Sequence, residues 1–145
     1  MTKEGSAYQV GLQVVWGTRR RALSRDECFA RLAGRTTGRV AITSAAMPFI
    51  SVVRYFVNDE AILFDVGLAA LASKTVGQVV AFESGSADAG NVNEHWSVCA
   101  VGVAELAVEA PWKEPILRIQ PEFVSGWVQR NGPLDPCQPR PTTPG

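Results

Sequence analysis

The chain has 145 residues, a formal net charge of zero, 46% hydrophobic residues and 19% charged residues. That is the length of one domain, able to bury a core and too apolar to remain disordered. The charge balance lacks the basic stripe of a nucleic-acid-binding protein, and no apolar run is long enough to cross a bilayer.

Residues 1–22 read as an N-terminal arm. Tyr8, Val10, Leu12, Val14 and Trp16 alternate with Gln9, Gly11 and Gln13, a period of two that predicts an extra strand or an arm ordered by a partner subunit. Arg19, Arg20 and Arg21 follow and read as a solvated basic run. The arginines come after the apolar run and no small-residue cleavage site follows it, so a secretory leader is not expected. Three cysteines without CxxC spacing give no disulfide framework. Cys28 and Cys99 fall at apolar-periodic positions, and Cys137 reads as an exposed thiol. These features fit a reducing cytoplasm.

Ser24-Arg25-Asp26-Glu27 is a capping box, with Leu23 and Cys28 as the hydrophobic staple. A short helix is expected from Arg25 to Ala33, ended by Gly34. Strands then follow at Arg39–Ser44 and Phe49–Val57, joined by a turn at Ala45-Ala46-Met47. Asn58-Asp59 is the next turn and Ala61–Phe64 the third strand. Gly67 breaks that strand, and Leu68–Thr75 reads as an Ala- and Leu-rich helix. Gln78–Glu83 is a strand, Ser84–Asn93 a polar loop, and Trp96–Val108 a long strand in which Gly102 invites a bulge. Pro111-Trp112 marks a turn. Ile116–Ile119 and Phe123–Gln129 are the last strands. Residues 131–145, with five prolines, read as a disordered tail. The expected fold is mainly β with short helices: six or so antiparallel strands, closed into a barrel so that no apolar edge is left open.

Intrinsic catalytic groups are sparse. His95 is the one histidine in the chain, and neither a G-x-S-x-G elbow nor a Walker A loop is present. Scattered cysteines and one histidine do not make a zinc site, so no metal is expected. An enzyme built on this sequence would rely on a borrowed cofactor.

Over residues 23–130 the ordered set of segments resembles the FMN-binding split-barrel family, the pyridoxamine 5'-phosphate oxidase-like proteins. The segments are Leu23–Cys28, Gly38-Arg39-Val40-Ala41, Pro48–Val57, Ile62-Leu63-Phe64, Val80-Ala81-Phe82-Glu83, Trp96-Ser97-Val98, Leu117–Pro121 and Val124-Ser125-Gly126. The resemblance implies a split β-barrel homodimer with FMN, or the related deazaflavin, at the subunit interface. It implies an oxidoreductase acting on a small organic substrate, with no nucleic-acid or membrane partner.

In this resemblance the strand containing Val52, Val53, Arg54 and Tyr55 edges the flavin ring, and Arg54 is an inward cation better explained by a flavin edge or an interface acid than by the core. Trp96 and Ser97 lie near the cofactor or, for Trp96, in the core. Gly67 keeps the phosphate turn. The family's Arg-Thr at the end of the Ile-x-Phe strand is replaced by Asp65 and Val66, and Asp65 would repel a phosphate. Ser73-Lys74 stands in for the family's Ser-Lys if the helix begins a turn later; otherwise Lys74 is a solvated helix residue. Arg39 or Arg54 is the candidate to compensate. The alternative expectation is a non-catalytic dimer that has lost tight FMN binding.

Overall fold

A computed structural model describes residues 19–67, 69–86, 94–108 and 116–130. Its elements in order are β1 (Arg19–Ala22), α1 (Arg25–Ala33), β2 (Thr37–Ser44), β3 (Met47–Asn58), β4 (Ala61–Asp65), α2 (Ala69–Thr75), β5 (Val79–Gly85), β6 (Glu94–Ala107), β7 (Ile116–Ile119) and β8 (Phe123–Arg130). The strand expected at Tyr8–Trp16, the Pro111-Trp112 turn, Cys137 and the Pro-rich tail lie outside the described residues.

Tight turns set the register. Ala45 and Ala46 between β2 and β3 have φ of 51° and 62°, and Asp59 and Glu60 between β3 and β4 have 50° and 67°. Two central residues at positive φ give the turn whose twist matches the flanking strands. The second turn falls one residue later than Asn58-Asp59, because Asn58 pairs with Ala61 as the last rung of the ladder.

Every strand pairing is antiparallel. The ring β6–β5–β2–β3–β4–β7 closes through β7 onto β6, making a six-stranded barrel. Closure is possible because β6 is 14 residues long and serves two strands in succession along one edge. Residues 94–101 pair with β8, and residues 104–107 pair with β7. Between them the chain crosses at Gln120-Pro121, and the Glu122 N–H donates to the Val101 carbonyl at 3.0 Å. This is the split in the barrel. Gly102 sits at the crossing: a Cβ there would lie 3.2 Å from the Gln120 carbonyl oxygen and 3.2 Å from Pro121 Cα. The expected bulge is absent, since the β5–β6 ladder runs through Gly102 in unbroken register. The glycine answers to a close backbone approach instead.

Alternation fills the barrel. Val40, Ile42, Val53, Tyr55, Ile62, Phe64, Val80, Phe82, Val98, Leu117 and Ile119 point inward and form one core with α1. Phe82 packs edge-on to Tyr55 at 4.8 Å and against Phe64 at 6.2 Å. Each such ring contributes roughly 2–3 kcal/mol through burial. Helix α1 is started by the predicted box: the Ser24 Oγ accepts from the Glu27 N–H at 3.2 Å, and Glu27 Oε1 accepts from the Ser24 N–H at 3.0 Å. Its buried face is Cys28, Phe29 and Leu32. Tyr55 ties the helix to β3 by donating its hydroxyl to the Leu32 carbonyl at 2.6 Å.

The basic run is structural in part. β1 pairs with β8, Arg20 stacks 4.1 Å over the Trp127 ring and donates to Gln129, and Arg21 bridges to Glu27. Arg20 and Arg21 remain exposed, as expected of a solvated run, but they sit on a paired strand and make surface contacts.

Candidate active site on the outer face of the barrel

Outward positions on five neighbouring strands share one surface. Val52, Arg39, Glu83, Cys99 and Ser125 form one row across β3, β2, β5, β6 and β8. Ile50, Ala41, Ala81, Val101 and Phe123 form the next. Ile50 is 69% exposed, Val52 68%, Val79 65% and Phe123 59%. Exposed apolar side chains gathered on one face of a barrel are a candidate contact surface. At its centre Arg39 pairs with Glu83 Oε1 at 3.1 Å, and the Ser97 hydroxyl donates to Glu83 Oε2 at 3.0 Å. Cys99 stands beside this pair. Burial, and then the Glu83 charge, push its thiol up, so it is a protonated packing group and not a nucleophile.

Among the described residues the strip ends at an open sheet edge. β4 pairs with β3 only from Arg54 to Asn58. Beyond Asp65 the chain turns away at Gly67, whose φ is +81°. Among the described residues no strand pairs with Met47–Val53 on that side. The Tyr55 N–H donates toward the β2 side, to the Thr36 carbonyl at 2.9 Å. By alternation, the backbone groups of Ile50 and Val52 face the open edge. Pro48 has the same parity, so its missing N–H falls where no ladder bond is needed.

The predicted site residues divide accordingly. Val52 and Arg54 lie on the outer face, beside the open edge. Arg54 is exposed, which corrects the inward orientation: it shares the parity of Val52, while Val53 and Tyr55 point into the core. Those two turn their backbone groups toward β2, away from the open edge, so neither their side chains nor their amides face a ligand there. Burial raises the Tyr55 phenol pKa, and its hydroxyl is already used by α1. Trp96 is buried in the barrel, its backbone N–H donating to Ser86 Oγ at 2.9 Å and Arg31 5.8 Å from its ring. Its side chain packs in the core, the second of its two expected places. Ser97 faces outward and joins the Arg39–Glu83 pair. His95 also faces outward, half-buried, across from Gln129. Glu83 was missed as a site residue. Its signal was an acid at the outward parity of an otherwise apolar strand.

At the end of β4, Asp65 is exposed and its Oδ1 accepts from the Gly67 N–H at 2.8 Å. Val66 packs against the core and presents no donor. Lys74 does not enter the helix. It stands in the last turn of α2, because the helix starts at Ala69 and not a turn later. Among the described residues no group of three potential ligands could hold a metal ion, and no helix is long and apolar enough to cross a membrane.

A six-stranded antiparallel barrel whose longest strand shares one edge between two partners is a split barrel. The chain belongs to the pyridoxamine 5'-phosphate oxidase family, whose model matches residues 24–136. It is 30% identical over 125 residues to the uncharacterized protein Rv0080 of Mycobacterium tuberculosis, covering 72% of this chain and 82% of that protein. In structure it is similar to an FAD-binding protein from Mycobacterium smegmatis. The TM-score is 0.64 at 24% identity, over 76% of this chain and 98% of the other. It is also similar to the flavocytochrome Anf3 of Azotobacter vinelandii, with a TM-score of 0.60 at 15% identity, over 86% and 84% of the two chains.

A flavin can be tested against these residues in two parts. The flat ring suits the exposed Ile50 and Val52 side chains, and its polar pyrimidine edge suits strand-edge amides and carbonyls such as those of Val52. The phosphate of a flavin nucleotide finds a carboxylate at Asp65, an apolar side chain at Val66 and no lysine entering α2. The residues fit the ring and do not fit the phosphate.

Proposed function

We propose that this chain is a homodimeric flavin-binding protein, an oxidoreductase acting on a small organic substrate. The observation that carries the reading is the edge of β3 at Met47–Val53, unpaired among the described residues, set beside the exposed apolar strip of Ile50, Val52, Val79 and Phe123. A second copy covering the strip would remove apolar surface from water and leave the β3 edge at the margin of the interface. A flat aromatic ligand seated there would stack on aliphatic side chains and hydrogen-bond to the β3 backbone. Arg54 stands next along the strand, on the same face, where it can donate to the ligand's polar rim. A bound flavin supplies two-electron redox chemistry. The chain supplies the seat, the hydrogen bonds and the exclusion of water. The candidate cofactor is a flavin, with FMN and deazaflavin the forms that the resemblance implies, and the family and its FAD-binding structural relatives support this class.

A second reading is favoured by one observation, the Asp65–Gly67 turn. An exposed carboxylate at the phosphate end supports a split-barrel dimer without tight FMN, serving as a ligand-binding or structural protein. One preparation separates the two. The first reading expects flavin absorbance in the protein as isolated or after incubation with flavin, together with a dimer in sedimentation. A protein that stays colourless with FMN, riboflavin and deazaflavin overturns it and leaves the second.

A further inference from the structure

The end of β4 carries a more specific statement about the ligand, one that rests on the flavin reading above. Asp65 lies opposite Arg54 in the β3–β4 ladder, and both side chains are exposed. Among the described residues neither takes part in an ion pair. The two charges therefore cancel in net terms at the place where the open edge of β3 begins. A dianionic phosphate brought here would gain from Arg54 and lose to Asp65. It would also find the Gly67 N–H already taken by the Asp65 carboxylate at 2.8 Å. The amide that could have served an external anion is satisfied from within the chain. Val66 is turned into the core, and Lys74 is held at the far end of α2, its carbonyl accepting from Gln78 Nε2 at 2.8 Å. A hydroxyl-terminated side chain meets the opposite situation. A carboxylate acceptor and a guanidinium donor side by side can both bond to a neutral polyol, and no charge is left unpaired.

We infer that this chain selects a flavin whose side chain ends in hydroxyl groups, and that Asp65 discriminates against flavins ending in a phosphate.

The test is titration of the full chain with riboflavin and with FMN, read by quenching of flavin fluorescence. The proteins are wild type, Asp65→Asn and Asp65→Arg. Asn keeps a side-chain oxygen for the Gly67 N–H and removes only the charge, so it guards against a turn that fails to form. Wild type is expected to bind riboflavin at least as tightly as FMN. Asp65→Asn should tighten FMN relative to riboflavin. Asp65→Arg should do so further, on the order of tenfold to a hundredfold for a new charge-assisted contact. Unchanged circular dichroism would certify the fold of each variant.

Wild type preferring FMN by about tenfold or more overturns the inference and leaves the flavin reading intact. So does an FMN-to-riboflavin ratio that stays constant through both substitutions. Wild type binding neither ligand overturns the inference and the flavin reading of the natural chain, even where Asp65→Arg gains FMN. No binding of either flavin by any of the three proteins overturns both.

Discussion

At the scale of single residues the barrel is controlled by a few points of close approach. Gly38 on β2 lies under the ring of Phe82, and a Cβ there would fall 2.5 Å from Phe82 Cζ and 2.9 Å from the Glu83 carbonyl oxygen. Phe82 is wholly buried and cannot swing away. Gly38→Ala is therefore expected to destabilise the fold by about 1–3 kcal/mol through overpacking. Chemical denaturation would measure the loss, and Phe82→Leu in the same chain should restore part of it by making room. A Gly38→Ala protein as stable as wild type would mean that β2 and β5 are less tightly opposed than described. Gly126 plays the same part beneath α1, where a Cβ would come within 2.8 Å of Cys28 Sγ. The sequence disclosed the glycines but not their reason. Gly38 and Phe82 are 44 positions apart, and only the β2–β5 pairing brings them together.

At the scale of elements, α1 is attached to the barrel by packing, by the Arg25–Glu60 ion pair at 3.2 Å and by an ion-pair cluster about Glu94. Arg31 on α1 donates to Glu94 Oε1 at 3.0 Å, and Arg130 on β8 reaches Glu94 Oε2 at 3.5 Å. The Arg31 hydrogen bond is the main cause that holds the Glu94 carboxyl below its ordinary value; burial opposes it, and the Arg31 charge and the Arg130 contact add to the lowering. A carboxyl depressed in the folded state contributes stability that is present above its unfolded pKa. That contribution is lost as pH falls through the folded one. Melting temperature should thus fall on the acid side of the ordinary carboxylate range, and Glu94→Gln should make that limb less steep. The effect is under about 1 kcal/mol, because the pair is partly solvated. Equal acid limbs for the two proteins would show that the cluster adds nothing to helix docking. The capping box was legible because all its partners lie within four residues. The Arg31–Glu94–Arg130 cluster was not, because it joins three elements that are distant in the chain.

At the scale of the whole molecule, the apolar outer strip is the feature that a lone barrel leaves unexplained. If a second copy covers it, Ile50→Lys places a charge in the covered surface. Sedimentation should then shift from dimer to monomer with the circular dichroism spectrum preserved. An Ile50→Lys protein that remains a dimer would move the interface elsewhere. The sequence by itself determined the elements and their faces. Period-two alternation, two tight turns and a capping box are local signals, and each yields an inside and an outside without reference to the rest of the chain. Only the tertiary structure decided which outward residues are neighbours. Arg54 read as an inward cation until the register gave it the parity of Val52. Lys74 could enter a helix only if that helix began a turn late, and the start of α2 at Ala69 leaves Lys74 in its last turn. Trp96 was resolved to the core, and Glu83 was drawn into a network with Arg39 and Ser97. Among the described residues the edge of β3 is open because β4 stops at Asp65, and no stretch of β3 announces that. Parity is a property of one strand, whereas a site is a property of strand order and register, which long-range pairing fixes after the local signals have been used.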